Sequence, residues 1–143
     1  MGQMESIHII GADWEKDRDR LYAIREAVFT REQGVPREVE RDEHDARSFH
    51  VLAVLDGLEV GTGRLLPDGH IGRVGVLKPY RRRGVGQALM RALIQRAKDQ
   101  SFSHVGLASQ THALGFYERL GFVVSGDEFV EAGIPHWSMR LDL

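Results

Sequence analysis

Apolar positions along the chain recur with two periods, and the points where one period gives way to the other mark out the secondary structure. Ser6–Ile10 reads as a short strand. From Trp14 to Phe29, Leu21, Ile24 and Val28 return at three- and four-residue steps among charges, the pattern of an amphipathic helix with a charged outer face. Thr30–Arg47 is dense in charge and broken by Gly34 and Pro36, so it is expected to be a loop with a helical turn near Pro36. Phe49–Leu55 and Glu59–Leu66 are strands joined at Asp56-Gly57, a dipeptide suited to a tight hairpin. After a turn at Pro67-Asp68-Gly69, His70–Leu77 adds a third member to this meander. Gly84–Gln100 carries Val85, Leu89, Ala92, Leu93 and Ala97 on one side and is a second amphipathic helix. Val105–Ser109 reads as a buried strand and Thr111–Leu120 as a short helix, while Phe122–Val124 and His136–Leu141 supply the last strands. The order β-α-β-β-β-α-β-α-β-β predicts an α/β (α+β) fold, a mixed, mostly antiparallel central sheet with helices on both faces.

Composition narrows the classes of function. The 143 residues are 42% hydrophobic and contain no cysteine, which excludes thiol nucleophiles, thiolate zinc sites and iron–sulfur clusters. With 19 Lys+Arg against 21 Asp+Glu the net charge is −2, far from the basic balance of a dedicated duplex-DNA binder. No apolar run approaches the roughly 18 residues of a membrane-spanning helix, and the N-terminus lacks a basic region followed by an apolar one. A cytoplasmic protein is therefore the expectation, although Gly2 and Ser6 match a short myristoylation pattern. Glu40–Asp45 lacks EF-hand ligand spacing and no His-x-x-x-His pair occurs, so no metal is expected.

The candidate chemistry is concentrated where the third meander strand gives way to the second helix, Val74-Gly75-Val76-Leu77-Lys78-Pro79-Tyr80-Arg81-Arg82-Arg83-Gly84-Val85-Gly86-Gln87. Proline breaks the strand, and two glycines open a helix whose first-turn N–H groups lack partners, which makes an anion site that a phosphate can approach closely. Taken alone, these glycines and arginines fit equally well a tightly packed loop with solvated guanidinium groups. No Gly-Lys dipeptide exists for a phosphate-binding P-loop, and a dinucleotide fingerprint would need a third glycine where Leu89 stands.

Arg81-Arg82-Arg83-Gly84-Val85-Gly86 resembles the Arg/Gln-x-x-Gly-x-Gly/Ala signature of the GNAT N-acetyltransferase superfamily. Gln110-Thr111-His112-Ala113-Leu114-Gly115-Phe116-Tyr117-Glu118-Arg119-Leu120-Gly121-Phe122 resembles its second motif. Ile24-Arg25, Val28-Phe29, Glu32-Gln33, Val35-Pro36 and Ala132-Gly133-Ile134-Pro135-His136 extend the likeness, toward the ElaA-like branch, over nearly the whole chain. Two positions depart from the pattern: Arg82 stands where many members carry glycine, and Gln110 where asparagine is frequent.

The resemblance implies one acetyltransferase domain over residues 1–143 that transfers the acetyl group of acetyl-CoA to a primary amine by direct attack on the thioester. By position, the backbone from Arg82 through Gly84, Val85 and Gly86 to Gln87 holds the pyrophosphate, with Arg81, Arg82 and Arg83 beside it. The backbone of Val74 and Val76 pairs with the pantetheine arm and donates to the thioester carbonyl, and Gly75 between them fits a bulge or a close backbone approach. Gln110 falls among the cofactor contacts. The resemblance gives Tyr117 the family's general-acid position, whereas its residue type alone favours a half-buried aromatic packed beside Phe116 and Phe122 with its hydroxyl satisfied. For the acceptor the candidates are Glu32, His112 and His136, and the acidic residues of Thr30–Arg47 together suggest a small cationic amine or a lysine side chain. A homodimer through the C-terminal strands is also implied. The competing classes are a module that binds acetyl-CoA without turning it over, and a nucleotide or nucleic-acid binder, which the charge and the lack of interleaved aromatics disfavour.

Overall fold

The computed structural model describes residues 6–143; the Gly2 acylation pattern lies outside them. Strand β1 (Ile7–Ala12) leads into helix α1 (Trp14–Arg25), whose first turn is capped by Asp13 accepting from the Glu15 and Lys16 amides. The helix does not stop at Arg25 but widens into a π-helical stretch over Glu26–Glu32. The segment expected as loop also contains a short helix, α2 (Arg37–Glu40), and a 3₁₀ turn over Asp45–Arg47.

Strands β2 (Phe49–Leu55), β3 (Leu58–Leu65) and β4 (Ile71–Val76) complete an antiparallel sheet ordered β1-β2-β3-β4. Asp56 and Gly57 both take positive φ, 49° and 83°, as the hairpin turn requires. Helix α3 (Val85–Asp99) packs on one face of this sheet, burying Val85, Leu89, Met90, Leu93 and Ala97 against Val51, Ala53, Leu55 and Val60. On the other face Leu21, Ile24 and Val28 enclose Leu52.

A second sheet, ordered β5-β7-β6, comprises β5 (His104–Gln110), β6 (Val123–Glu131) and β7 (Ile134–Asp142), with the short helix α4 (Leu114–Arg119) between β5 and β6. β6 and β7 are longer than the hydrophobic pattern predicts because most of β6 is solvent-exposed and carries no apolar period.

The expected single sheet is thus two sheets. Their one ladder contact among the described residues is a parallel bridge between His70 and Gly106, where the Gly106 amide donates to the Gly69 carbonyl over 3.1 Å. Beyond that bridge β4 and β5 have no pairing among the described residues, and the stretch from Ile71 to Val74 of β4 and that from Leu107 to Gln110 of β5 border an opening.

Candidate active site

The opening is a cavity of about 530 Å³, of a size that suits a small ligand. Arg73 and Val74 line it from β4, Ala108 and Gln110 from β5, and Tyr117 from α4. The π-helical stretch and its exit contribute Phe29 and Gln33, and the β6–β7 hairpin contributes Glu131 and His136. π-Helical turns often occur at functional sites.

The strand β4 carries a bulge. Gly75 pairs with Thr62 and Gly72 with Arg64, so one extra residue lies on β4, where Arg73 takes φ 51°. The irregularity falls at Arg73 rather than at Gly75. Gly75 serves instead as a close approach: a Cβ there would lie 3.1 Å from both Val28 Cγ1 and Phe29 Cζ, so its absence lets the helical stretch rest on β4. The Leu77 amide donates to the Val60 carbonyl at 2.8 Å, so in the alternating antiparallel pattern the backbone groups of the preceding Val76 turn away from β3. The Val76 carbonyl is already occupied, accepting from Arg81 Nε at 2.8 Å, which leaves the N–H as the group it can offer a ligand.

Arg81 is therefore a structural residue more than a phosphate contact. Its Nη1 and Nη2 donate to the two carboxylate oxygens of Glu32 at 2.6 and 2.7 Å, fastening the helical stretch to the end of β4. That pair holds the Glu32 carboxyl below its ordinary range, chiefly through the hydrogen bond. Glu32 is not among the residues that line the cavity. Arg82 and Arg83 are exposed, the latter with its guanidinium carbon 5.8 Å from the Tyr80 ring centroid. Arg82 sits at φ 64°, a left-handed conformation that explains why glycine suits this position.

At the start of α3, Gly84 takes φ 83° and provides no side-chain cap. Its carbonyl accepts from the Ala88 amide, so the N–H groups of Val85, Gly86 and Gln87 precede the first intrahelical bond. A Cβ on Gly84 would meet nothing within 4 Å, whereas one on Gly86 would lie 3.5 Å from Phe116 Cζ. Gly84 thus leaves the amides approachable, while Gly86 also seats α3 against α4. The Val85 side chain belongs to the core. These uncapped amides and flanking guanidinium groups fit a pyrophosphate.

Tyr117 packs edge-on to Phe116 and Phe122, with ring centroids 5.0 and 6.1 Å away. Burial raises its hydroxyl above the usual value near 10, which keeps the proton on the oxygen at neutral pH. Across the opening, Gln110 Nε2 donates to Gln33 Oε1 at 3.1 Å. His112 lines the cavity. His136 is buried, stacks with Phe129, and donates from Nδ1 to the Ile134 carbonyl at 2.7 Å, which leaves Nε2 as the other ring nitrogen, 3.8 Å from a Glu131 oxygen.

The charged loop is far from a solvated acidic surface. Arg25 donates to Glu40 and to both oxygens of Asp45, and Arg64 binds Asp42 through both terminal nitrogens and also reaches Asp45. Arg73 donates to the Glu40 carbonyl and to Asp42. His50 Nε2 donates to the Asp45 carbonyl at 2.7 Å, and Trp14 stacks on its ring. Three guanidinium groups thus balance three carboxylates, which removes the basis for focusing a cation toward this loop. The network carried one sequence signal: Arg25 lies four residues after Leu21 and three before Val28, inside the apolar stripe of α1.

With this geometry in view, the comparisons with known proteins agree. Residues 15–143 match the acetyltransferase (GNAT) domain family model. The chain is 42% identical to the uncharacterized N-acetyltransferase YjcF of Bacillus subtilis, over 94% of this chain and 98% of that one. The crystal structure of Escherichia coli ElaA superposes with a TM-score of 0.83 at 28% identity, covering 94% of this chain and 99% of the other. An acyl-CoA N-acyltransferase from Pseudomonas aeruginosa gives the same TM-score, 0.83, at 30% identity over 94% of this chain and 99% of that one. The chain belongs to the GNAT acetyltransferase family. It is an enzyme of the class that uses acetyl-CoA as cosubstrate. No helix among the described residues is long and apolar enough to cross a membrane.

Proposed function

We propose that this protein transfers the acetyl group of acetyl-CoA to a primary amine held in the cavity between β4 and β5. The observation that carries this reading is one juxtaposition: β4, which borders the cavity through Arg73 and Val74, runs on to the uncapped start of α3, and Tyr117 lines the same cavity. Acetyl-CoA, when bound, supplies the thioester. Val85, Gly86 and Gln87 amides, with Arg82 and Arg83, hold the pyrophosphate, and Val74 and Val76 offer strand-like pairing to the arm. The Val76 N–H donates to the carbonyl oxygen, where negative charge grows as the amine attacks.

A free alkylamine has a pKa of about 10, so the amine must give up a proton before or during attack. His136 is placed to take it through Nε2, because Nδ1–H is engaged with the Ile134 carbonyl. As the new C–N bond forms and the C–S bond breaks, Tyr117 Oη donates its proton to the departing sulfur, and the tyrosinate recovers a proton from the second that the nitrogen sheds on becoming an amide. Protonation of the sulfur makes it a better leaving group.

The test is CoA release from acetyl-CoA over an amine panel that includes polyamines, amino acids, aminosugars and lysine peptides. Turnover with at least one amine is expected. Stabilisation by acetyl-CoA without release of CoA to any amine would instead make the protein a sensing module. We further propose a homodimer that covers the exposed edge strand β6, where Val123, Val124 and Val130 face solvent; a monomeric mass in light scattering at micromolar concentration would rule it out.

A further inference from the structure

The acceptor's chemistry is written in which polar groups around the cavity still have bonding capacity. Asp42 receives Arg64 Nη1 and the His44 amide on Oδ1, and Arg64 Nη2 and Arg73 Nη2 on Oδ2. Asp45 receives Arg25 Nη1 and Arg64 Nη1 on Oδ1, and Arg25 Nη2 and the Asp42 amide on Oδ2. Glu40 Oε2 faces Arg25 Nε at 2.6 Å and Arg73 Nε at 3.2 Å. A carboxylate has about four lone-pair sites, so Asp42 and Asp45 are saturated and Glu40 is doubly engaged. An ammonium group would gain little from the two aspartates, and Glu40 is only 4% exposed.

The guanidinium side is not saturated. Among the three arginines, the side chains of Arg25 and Arg64 are 1% and 5% exposed, and that of Arg73 is 28% exposed and lines the cavity. Its Nε and Nη2 are committed to Glu40 and Asp42, while Nη1 makes no hydrogen bond among the described residues. The left-handed conformation of Arg73, φ 51°, is one that few non-glycine residues adopt, and it sits at the bulge. Burial first, and repulsion from Arg64 second, push the Arg73 pKa down, against the opposing pull of Glu40 and Asp42. The one cavity carboxylate without an arginine is Glu131, 63% exposed beside His136 and on the opposite sheet.

We infer that the acceptor amine carries a carboxylate, and that Arg73 Nη1 binds it while the amine turns toward His136 and Tyr117. The substrate class is therefore an amino acid or a similar amine bearing an acid group. This reading rests on the cavity being the acceptor site of the acetyltransferase.

The test uses matched amines that differ only in a carboxylate against the corresponding carboxamide, assayed with acetyl-CoA on the unmodified protein. A hydrogen bond to a charged group contributes about 1.5–3 kcal/mol, so kcat/KM should favour the acid by about 10-fold or more, mainly through KM. Arg73→Gln should reduce that preference to nearly equal rates, and Arg73→Lys should keep part of it. Because the comparison within the unmodified protein needs no variant, a folding defect in Arg73→Gln leaves the test intact. Equal or faster turnover of the carboxamides would overturn the inference while leaving amine acetylation in place. Absence of turnover with every acid would overturn it too, and acetyl-CoA failing to raise the melting temperature would then remove the transferase reading as well.

Discussion

Replacing Arg25 with methionine removes a guanidinium that makes four hydrogen bonds, to Glu40 Oε2, the Glu40 carbonyl and both oxygens of Asp45. Removing one member of a buried ion pair costs about 3–5 kcal/mol, because the partner is left charged in a poorly solvated place. Here Glu40 keeps Arg73 at 3.2 Å and Asp45 keeps Arg64 at 2.7 Å, which places the loss near the lower bound of that range. For a domain of this size about 3 kcal/mol corresponds to a drop of about 10 °C in melting temperature. Burial raises the Asp45 pKa while Arg25 and Arg64 lower it, and in the parent the arginines win. Without Arg25 the balance moves up, so the orphaned carboxylate takes a proton more readily, and the deficit should shrink as pH falls below the unfolded-state value near 4, where the parent loses the stability its depressed Asp45 contributes. The uncapped start of α3 lies outside the network, so CoA affinity should hold within about twofold while the acceptor KM rises as the loop loosens. Thermal denaturation of parent and variant from pH 7 to below pH 4 is the assay. A loss under about 3 °C, or one that does not change with pH, would refute the idea that Arg25 is the charge partner that pins Glu40 and Asp45 to helix α1.

Gly84→Asp puts a carboxylate beside the amides of Val85, Gly86 and Gln87; since aspartate tolerates left-handed backbone better than most residues, the fold should persist while CoA affinity in calorimetry falls by about 10-fold or more. Burial works to raise the Asp42 pKa, but Arg64 and then Arg73 outweigh it and hold the value at about 2 against 3.8. The stability this contributes, about 2 kcal/mol, is complete above the unfolded-state value near 4 and is lost as pH falls toward 2. Asp42→Asn should therefore remove that share of the acid sensitivity in urea titrations, leaving the share of the other depressed carboxyls such as Asp45. His136→Gln should lower kcat by roughly 10²-fold or more with acetyl-CoA binding intact, as loss of general base catalysis requires; an unchanged kcat would assign the proton to water.

Helix α3 and the β2–β3 hairpin were legible because their sides are unambiguous: Leu89 and Leu93 face a sheet, and Asp56-Gly57 dictates its own turn. The uncapped start of α3 was legible because a helix opening after two glycines is set by local residues. The divergence of β4 from β5 was not, since it depends on pairing between distant strands that no period encodes. The roles of Arg25, Arg64 and Arg81 were hidden for a related reason. A charged residue reads as solvent-facing unless its partner is known, and Glu32 lies 49 residues from Arg81. The acidic loop consequently read as a cation attractor, whereas each of Glu40, Asp42 and Asp45 is matched by an arginine.

The central claim is that Tyr117 Oη gives the proton to the departing sulfur in an acetyl transfer performed in this cavity. Tyr117→Phe retains the ring against Phe116 and Phe122 and removes only the hydroxyl. Single-turnover acetyl transfer to the best amine of the panel, measured on parent and variant at saturating acetyl-CoA, isolates that proton. The rate should fall by about 10²–10⁴-fold with the dissociation constant of CoA unchanged; transfer by the variant at the parent rate would contradict the assignment.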